Sequence, residues 1–256
     1  MYGFHAASPG GSVAGLPRLL ALEVGVALAL GLGVLVTVYA AGAITPQALL
    51  AAGGIAVGGA ALLLERAVRR GMATGLGPAN RVTLVRAVLC LPALGLVFHP
   101  QGVDEVARWW VVGLAAVVLV LDGVDGWVAR RTGSSSAFGA RFDMELDAVL
   151  LLALSVLVWY SGQVGAWVLL IGLMRYGFVA AGWLVPALNR PLPEAFRRKA
   201  ACVVQGVVLV GCLVPLVPGT VATTAAAMAL ALLLWSFAAD VCWLLSRRPC
   251  WRRDTP

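Results

Sequence analysis

Five of the 12 acidic residues in this 256-residue chain crowd into one short stretch: Asp122, Asp125, Asp143, Glu145 and Asp147. Asp122, Asp125, Gly126 and Ala129 stand at i, i+3, i+4 and i+7, so on a helix they share one face. Gly139, Asp143 and Asp147, at i, i+4 and i+8, share another. Between them Thr132-Gly133-Ser134-Ser135-Ser136 reads as a turn that makes the two helices antiparallel neighbours, so that both acid faces converge. Four carboxylates facing one another repel unless cations intervene. Divalent ions with oxygen ligands suit such a cluster, and magnesium commonly takes a few carboxylates together with substrate phosphates. Helix residues three and four apart are separated by about 4.5–6 Å along the axis. Carboxylates so spaced can bracket two ions, Mg²⁺ or Mn²⁺, about 3.5–4 Å apart, an arrangement that neutralises a pyrophosphate and stabilises in-line displacement at phosphorus. Gly126, Ala129 and Gly139 leave room for a large ligand against the backbone. Salt bridges from the acids to Arg130, Arg131 and Arg141 would balance the charge but would give these small residues no purpose.

The elements that must carry this cluster lie in lipid. Apolar residues make up 61% of the chain and charged ones 12%, where soluble domains carry about 25% charged residues. A spanning helix needs roughly 20 predominantly apolar residues. Eight segments qualify, at about 19–41, 47–64, 80–98, 108–130, 138–160, 164–186, 199–217 and 221–246. None alternates like a barrel strand. The fold class is therefore all-α, a polytopic membrane helix bundle. Residues 1–16, rich in Gly, Ser and Ala, read as a disordered amino terminus. Residues 17–70 form a two-helix hairpin, and residues 71–246 a six-span core that holds the chemistry. Residues 247–256 are a basic tail. Gly53, Gly54, Gly58 and Gly59 give the second helix a small-residue face suited to close packing.

The net charge of +7 is a topology signal. With the amino terminus in the cytoplasm, 17 of the 19 basic residues fall on the inner side, among them Arg18, Arg66, Arg81, Arg86, Arg131, Arg141, Arg198 and Arg252. Arg108 falls outside and Arg175 lies within a span. The outer loops hold Asp104 and Glu105 and almost no other charge. This asymmetry obeys the positive-inside rule with both termini cytoplasmic. It also removes the main argument for nucleic-acid binding, which would gather the basic residues into one patch. Cys90, Cys202, Cys212 and Cys242 sit in apolar runs without metal-type spacing, as small buried hydrophobes do.

The stretch Asp122-Gly123-Val124-Asp125-Gly126-Trp127-Val128-Ala129-Arg130, followed by Gly139, Asp143 and Asp147, resembles the signature of the class I CDP-alcohol phosphotransferases, D-x-x-D-G-x-x-A-R-x8-G-x3-D-x3-D. Every fixed position matches. Pro78-Ala79-Asn80-Arg81-Val82-Thr83-Leu84-Val85-Arg86 is similar to the P-N-x-x-T-x-x-R entry to that family's first core helix, with one residue inserted after the proline. The resemblance implies that Asp122, Asp125, Asp143 and Asp147 hold two divalent metals and that Asp147 is also the general base on the acceptor hydroxyl. It implies that Asn80, Thr83, Gly126, Ala129, Arg130 and Gly139 hold the CDP moiety. It further implies transfer of a phosphatidyl group from CDP-diacylglycerol to a polar alcohol, with release of CMP, in phospholipid biosynthesis. The hairpin at 17–70 lies outside the usual core.

The acceptor is read from cations. Arg175 inside a span is a functional candidate, and a guanidinium suits phosphate recognition. Arg198 and Lys199 open the seventh span, and Lys199 with Gln205 loosely resembles a pattern of phosphatidylglycerol-phosphate synthases. These groups would hold the phosphate of glycerol 3-phosphate or inositol phosphate, although Tyr176 and Ala201-Cys202 depart from that pattern. Arg175 paired with one of the four aspartates is the alternative. Glu145 lies off the acid face, where it can support an acid from behind, and Asp240 is expected to pair with Arg247 or Arg248. An intramembrane prenyltransferase also uses Asp-bound magnesium, but its acid motifs stand much further apart. A cation transporter would show interrupted helices in related halves. Expected partners are CDP-diacylglycerol, the polar alcohol and membrane lipids, with a homodimer left open and no nucleic acid. The Ala- and Gly-rich composition suggests a bacterial inner membrane, with the site facing the cytoplasm.

Overall fold

The computed structural model describes residues 18–69, 76–98, 103–132, 137–185 and 196–246. Among them are eight α-helices and no strand: α1 (Arg18–Ala40), α2 (Pro46–Arg69), α3 (Pro78–Leu96), α4 (Glu105–Thr132), α5 (Ala137–Tyr160), α6 (Leu169–Leu184), α7 (Phe196–Leu213) and α8 (Gly219–Ser246). The expected amino terminus and basic tail lie outside the described residues. Helix starts follow local chemistry. Thr45 Oγ1 accepts the Ala48 N–H at 3.3 Å just ahead of Pro46, and Asp104 Oδ1 accepts the Ala107 N–H at 2.7 Å at the start of α4.

Five of these helices are long and apolar enough to cross a membrane: α1, α2, most of α4, the Ala166–Leu184 segment that ends in α6, and α8. One face of each carries large apolar side chains outward. Leu50, Val57, Trp183, Leu184, Met228 and Trp235 are all exposed, as lipid-facing residues are. Helices α3, α5 and α7 run through the interior and carry the buried polar side chains Asn80, Thr83, Arg86, Ser155 and Gln205, while Ser236 and Asp240 are buried on α8.

Packing is organised around a ring of four. Helix α3 packs on α4, α4 on α7, α7 on α5, and α5 back on α3. The hairpin α1–α2 leans on α3, α6 covers α5 and α8 covers α7. The sequence suggested that the short turn makes α4 and α5 antiparallel neighbours with converging acid faces. Among the described residues they instead occupy opposite corners of the ring, sharing few contacts or none along their lengths. A short connection constrains only the joined ends, so α3 and α7 can fill the space between the diverging helices.

The small-residue face of α2 is also placed differently. A methyl group added at Gly53, Gly54, Gly58 or Gly59 would meet nothing within 4 Å. The close approach uses Ala48 and Ala52 instead, fully buried against α3. There a Cβ on Gly95 would sit 2.5 Å from the Ala48 carbonyl oxygen, so only glycine admits that crossing. A second, smaller core gathers Leu20, Val24, Leu63, Ala67 and Leu76 beside Leu84 of α3 and Phe142 of α5.

Candidate functional site

Helix α3 begins with Gly77 at φ 80°, a left-handed conformation that suits glycine, followed by Pro78 in the first turn. This entry sends Asn80, Thr83 and Arg86 into the interior, and all three are buried. The Asn80 amide donates from Nδ2 to the Leu76 carbonyl oxygen at 2.6 Å, which fixes the side chain at the helix entrance.

Arg86 is 0% exposed and is the largest fully buried side chain among the described residues. Its guanidinium reaches both acid helices. Nη1 donates to Asp143 Oδ1. Nη2 lies 2.6 Å from Asp147 Oδ1 and 2.9 Å from Asp122 Oδ1. The planar fork of a guanidinium is what permits three carboxylates to share one cation. From opposite corners of the ring, Asp122 of α4 and Asp143 and Asp147 of α5 thus bring one carboxylate oxygen each to within 4.8 Å of the others. Asp125, Gly126, Ala129 and Arg130 belong to α4 by backbone, but their side chains lie outside the described residues. Gly139 is buried in the first turn of α5, whereas Arg131 and Arg141 are exposed at the helix ends.

These residues suit divalent cations by their chemistry. The donors are hard oxygens. One Arg86 charge against three carboxylates leaves a formal excess of two negative charges in a half-buried setting, before Asp125 is considered. An arginine alone does not neutralise the cluster.

Two of the three cations assigned to an acceptor are paired with acids outside the cluster. Arg175 donates from Nη2 to Glu145 Oε1 at 2.6 Å rather than to the aspartates. Glu145 stands two positions from both Asp143 and Asp147, about 200° round α5 from each. Arg197 donates to Asp240 and to the Ser236 carbonyl oxygen at 3.2 Å, and its guanidinium lies 5.8 Å from the Trp235 ring centroid. Arg198 Nη1 lies 3.3 Å from Asp240 Oδ1. Asp240 therefore ties the start of α7 to the end of α8. The partners expected for it, Arg247 and Arg248, lie outside the described residues. Lys199 is exposed on the first turn of α7. Gln205 is fully buried and donates to the Ala229 carbonyl oxygen at 2.8 Å, so it joins α7 to α8.

Sequence reasoning counted Arg86 among the inner-surface basic residues and gave it no part in the site. Its place in the P-N-x-x-T-x-x-R run was the available signal. Glu23, in α1 of the hairpin, was missed likewise. Its Oε2 accepts the Leu76 N–H at 2.8 Å, and its Oε1 accepts Arg81 Nε at 2.9 Å and Nη2 at 2.6 Å.

Comparison with known proteins is consistent with this geometry. The family model for CDP-alcohol phosphatidyltransferase matches residues 77–236, from the entry of α3 into α8, and leaves the hairpin outside. A probable phosphatidylglycerophosphate synthase of Mycobacterium tuberculosis is 30% identical over 118 residues, 41% of this chain and 56% of that protein. Cholinephosphotransferase 1 of Danio rerio is 30% identical over 118 residues, 43% of this chain and 31% of the fish protein. Cholinephosphotransferase 1 of Gallus gallus is 40% identical over 75 residues, 27% of this chain and 22% of the bird protein. The matched region thus spans about half the length of the mycobacterial relative and less of the others. No solved structure matches the chain. The family match covers more than half of the sequence and takes in both the acid-bearing helices and the helix that supplies their guanidinium, and on that ground the chain belongs to the CDP-alcohol phosphatidyltransferase family of membrane transferases.

Proposed function

We propose that the protein transfers a phosphatidyl group from CDP-diacylglycerol to a small phosphorylated alcohol, glycerol 3-phosphate or inositol phosphate, and releases CMP. The observation that carries this reading is the convergence of Asp122, Asp143 and Asp147 from two helices at opposite corners of the ring. In the same reading the site faces the cytoplasm of a bacterial inner membrane and both termini are cytoplasmic, as the positive-inside asymmetry supports. The functional core is residues 71–246 and the hairpin is residues 17–70.

Asp122, Asp125, Asp143 and Asp147 would hold two Mg²⁺ or Mn²⁺ ions, which when bound neutralise the pyrophosphate and stabilise charge at the phosphorus under attack. Asn80, Thr83, Gly126, Ala129, Arg130 and Gly139 bind the CDP moiety, the small residues by leaving space for it. Asp147 accepts the proton of the acceptor hydroxyl. The acceptor oxygen bonds to the phosphorus distal to cytidine, the bond from that phosphorus to the bridging oxygen breaks, and CMP departs with the electron pair. Arg175, Arg198 and Lys199 hold the acceptor's own phosphate. The purified protein in detergent should release CMP from CDP-diacylglycerol with Mg²⁺ or Mn²⁺ and not with EDTA. Among glycerol 3-phosphate, inositol phosphate, inositol, serine and glycerol, a phosphorylated acceptor should give the fastest release. No CMP with any acceptor would overturn the reading. The likeness to proteins named cholinephosphotransferase supports a second reading, in which the CDP-linked group is itself a small alcohol. Replacing the donor in the same assay separates the two.

Charge-assisted hydrogen bonds are worth about 1.5–3 kcal/mol. Arg175→Ala should therefore raise the acceptor's KM about tenfold or more, with the KM of the CDP-lipid within about twofold of wild type. Equal changes in both constants would remove Arg175 from the acceptor site.

A further inference from the structure

The hairpin α1–α2 lies outside the family match, yet it touches the candidate site at two points. The first is polar. Glu23 of α1 is largely buried, its side chain 15% exposed, and it receives three hydrogen bonds from residues more than 50 positions away. One of them comes from the Leu76 N–H at 2.8 Å. The carbonyl of that same Leu76 receives the Asn80 amide at 2.6 Å. Glu23, Leu76 and Asn80 thus form a relay in which the hairpin holds the residue that holds the asparagine. A carboxylate set beside the start of α3 also complements the positive end of that helix. The second point is apolar. Phe142, next to Asp143, packs on the small core built from Leu20, Val24, Leu63, Ala67 and Leu76. The hairpin thus bonds to the α3 entrance and shares with it a small core on which Phe142 packs.

We infer that the amino-terminal hairpin is a positioning element for the nucleotide end of the site, with Glu23 as its positioning residue acting through Leu76 on Asn80. This rests on the proposed reading of Asn80 as a CDP ligand. An anchor that merely adds membrane-spanning length would need no carboxylate on Leu76.

The test measures binding of CMP and, separately, of Mn²⁺ to the full-length protein in detergent. Glu23→Ala removes both the Leu76 and the Arg81 contacts and should weaken CMP binding about tenfold, with Mn²⁺ affinity within about twofold of wild type. Glu23→Gln keeps an oxygen for the Leu76 N–H, and Arg81→Ala removes only the exposed partner. Both should stay within about threefold for CMP. If Glu23→Ala is not recovered folded, Glu23→Met serves, because it keeps the length of the side chain and removes the oxygen that the Leu76 N–H uses; a loss of CMP affinity of about tenfold is again expected. Wild-type CMP affinity in Glu23→Ala, or in Glu23→Met where that variant stands in, would overturn the inference, as would a parallel loss of CMP and Mn²⁺ binding. Asn80→Ala is measured alongside. If it weakens CMP binding while Glu23→Ala does not, the role of the hairpin alone fails. If Asn80→Ala binds CMP as wild type does, the assignment of Asn80 fails, and the relay with it.

Discussion

Asp147→Asn should abolish CMP release, by at least about a thousandfold, while leaving the helix bundle folded. A positioned acid or base contributes about 10²–10⁴-fold, and here the same carboxylate would also be a ligand to a divalent ion. The substitution is nearly isosteric, so packing around α5 is retained. Its electrostatic effect on the resting fold is small for a specific reason. Arg86 loses one carboxylate partner but keeps Asp122 and Asp143, and one negative charge leaves a cluster that carries a formal excess of them. Thermal melting in EDTA should therefore stay close to wild type while turnover disappears. Asp122→Ala and Asp125→Ala should lose activity together with metal dependence. CMP release assayed across Mn²⁺ concentrations checks all three variants. Full activity in any of them would break the assignment of the acids.

Arg86→Met should give the opposite pattern, a protein whose stability comes to depend on divalent metal. Removing one partner from a buried ion-pair cluster costs about 3–5 kcal/mol, because the remaining charges stay behind without compensation. Here three carboxylate oxygens within 4.8 Å of one another would lose the guanidinium between them. In EDTA the melting temperature should fall well below that of wild type. Mn²⁺ should restore much of it, since a ligand present at 100 times its Kd stabilises the folded state by about 2.7 kcal/mol. The metal-induced rise in Tm should be larger for Arg86→Met than for wild type. Arg86→Lys should recover only part of the loss, because an ammonium offers one point charge where the guanidinium offers a planar fork. Equal Tm values for wild type and Arg86→Met in EDTA would show that the arginine does not hold the acids together.

The two experiments separate the roles of side chains that the fold places within hydrogen-bond distance of each other. Asp147 and Arg86 touch at 2.6 Å, yet one variant should lose chemistry at constant stability and the other stability in a metal-dependent way. A merely structural acid cluster would make both variants unstable and indifferent to metal.

How much of this was legible beforehand depends on the range of each interaction. The acid spacing was, because residues three and four apart share a helix face whatever the fold around them. So was the all-helical membrane character, since apolar runs of spanning length need no tertiary knowledge to interpret. That α3 and α7 pack between α4 and α5 along their lengths was not legible. A short connection says that two helix ends are close and nothing about what packs between them further along. The glycines of α2 were misplaced for a related reason, since a small-residue face can meet a helix or the lipid equally well. Arg175 and Asp240 were recognised as ionisable groups in spans, but their partners, Glu145 and the pair Arg197 and Arg198, depend on which helices lie side by side.

The chain on its own determined the helices, their membrane setting, the acids that face a common direction and the family to which the signature points. Each of these follows from local periodicity, from composition or from a run of contiguous residues. Folding in three dimensions decided that Arg86, which obeys the same inner-side statistics as any loop arginine, is the buried counter-charge of the acids. It likewise decided that Glu23 reaches Leu76. Both facts arise from side chains separated by tens of residues, and only the packing of α1, α3, α4 and α5 brings such groups into contact.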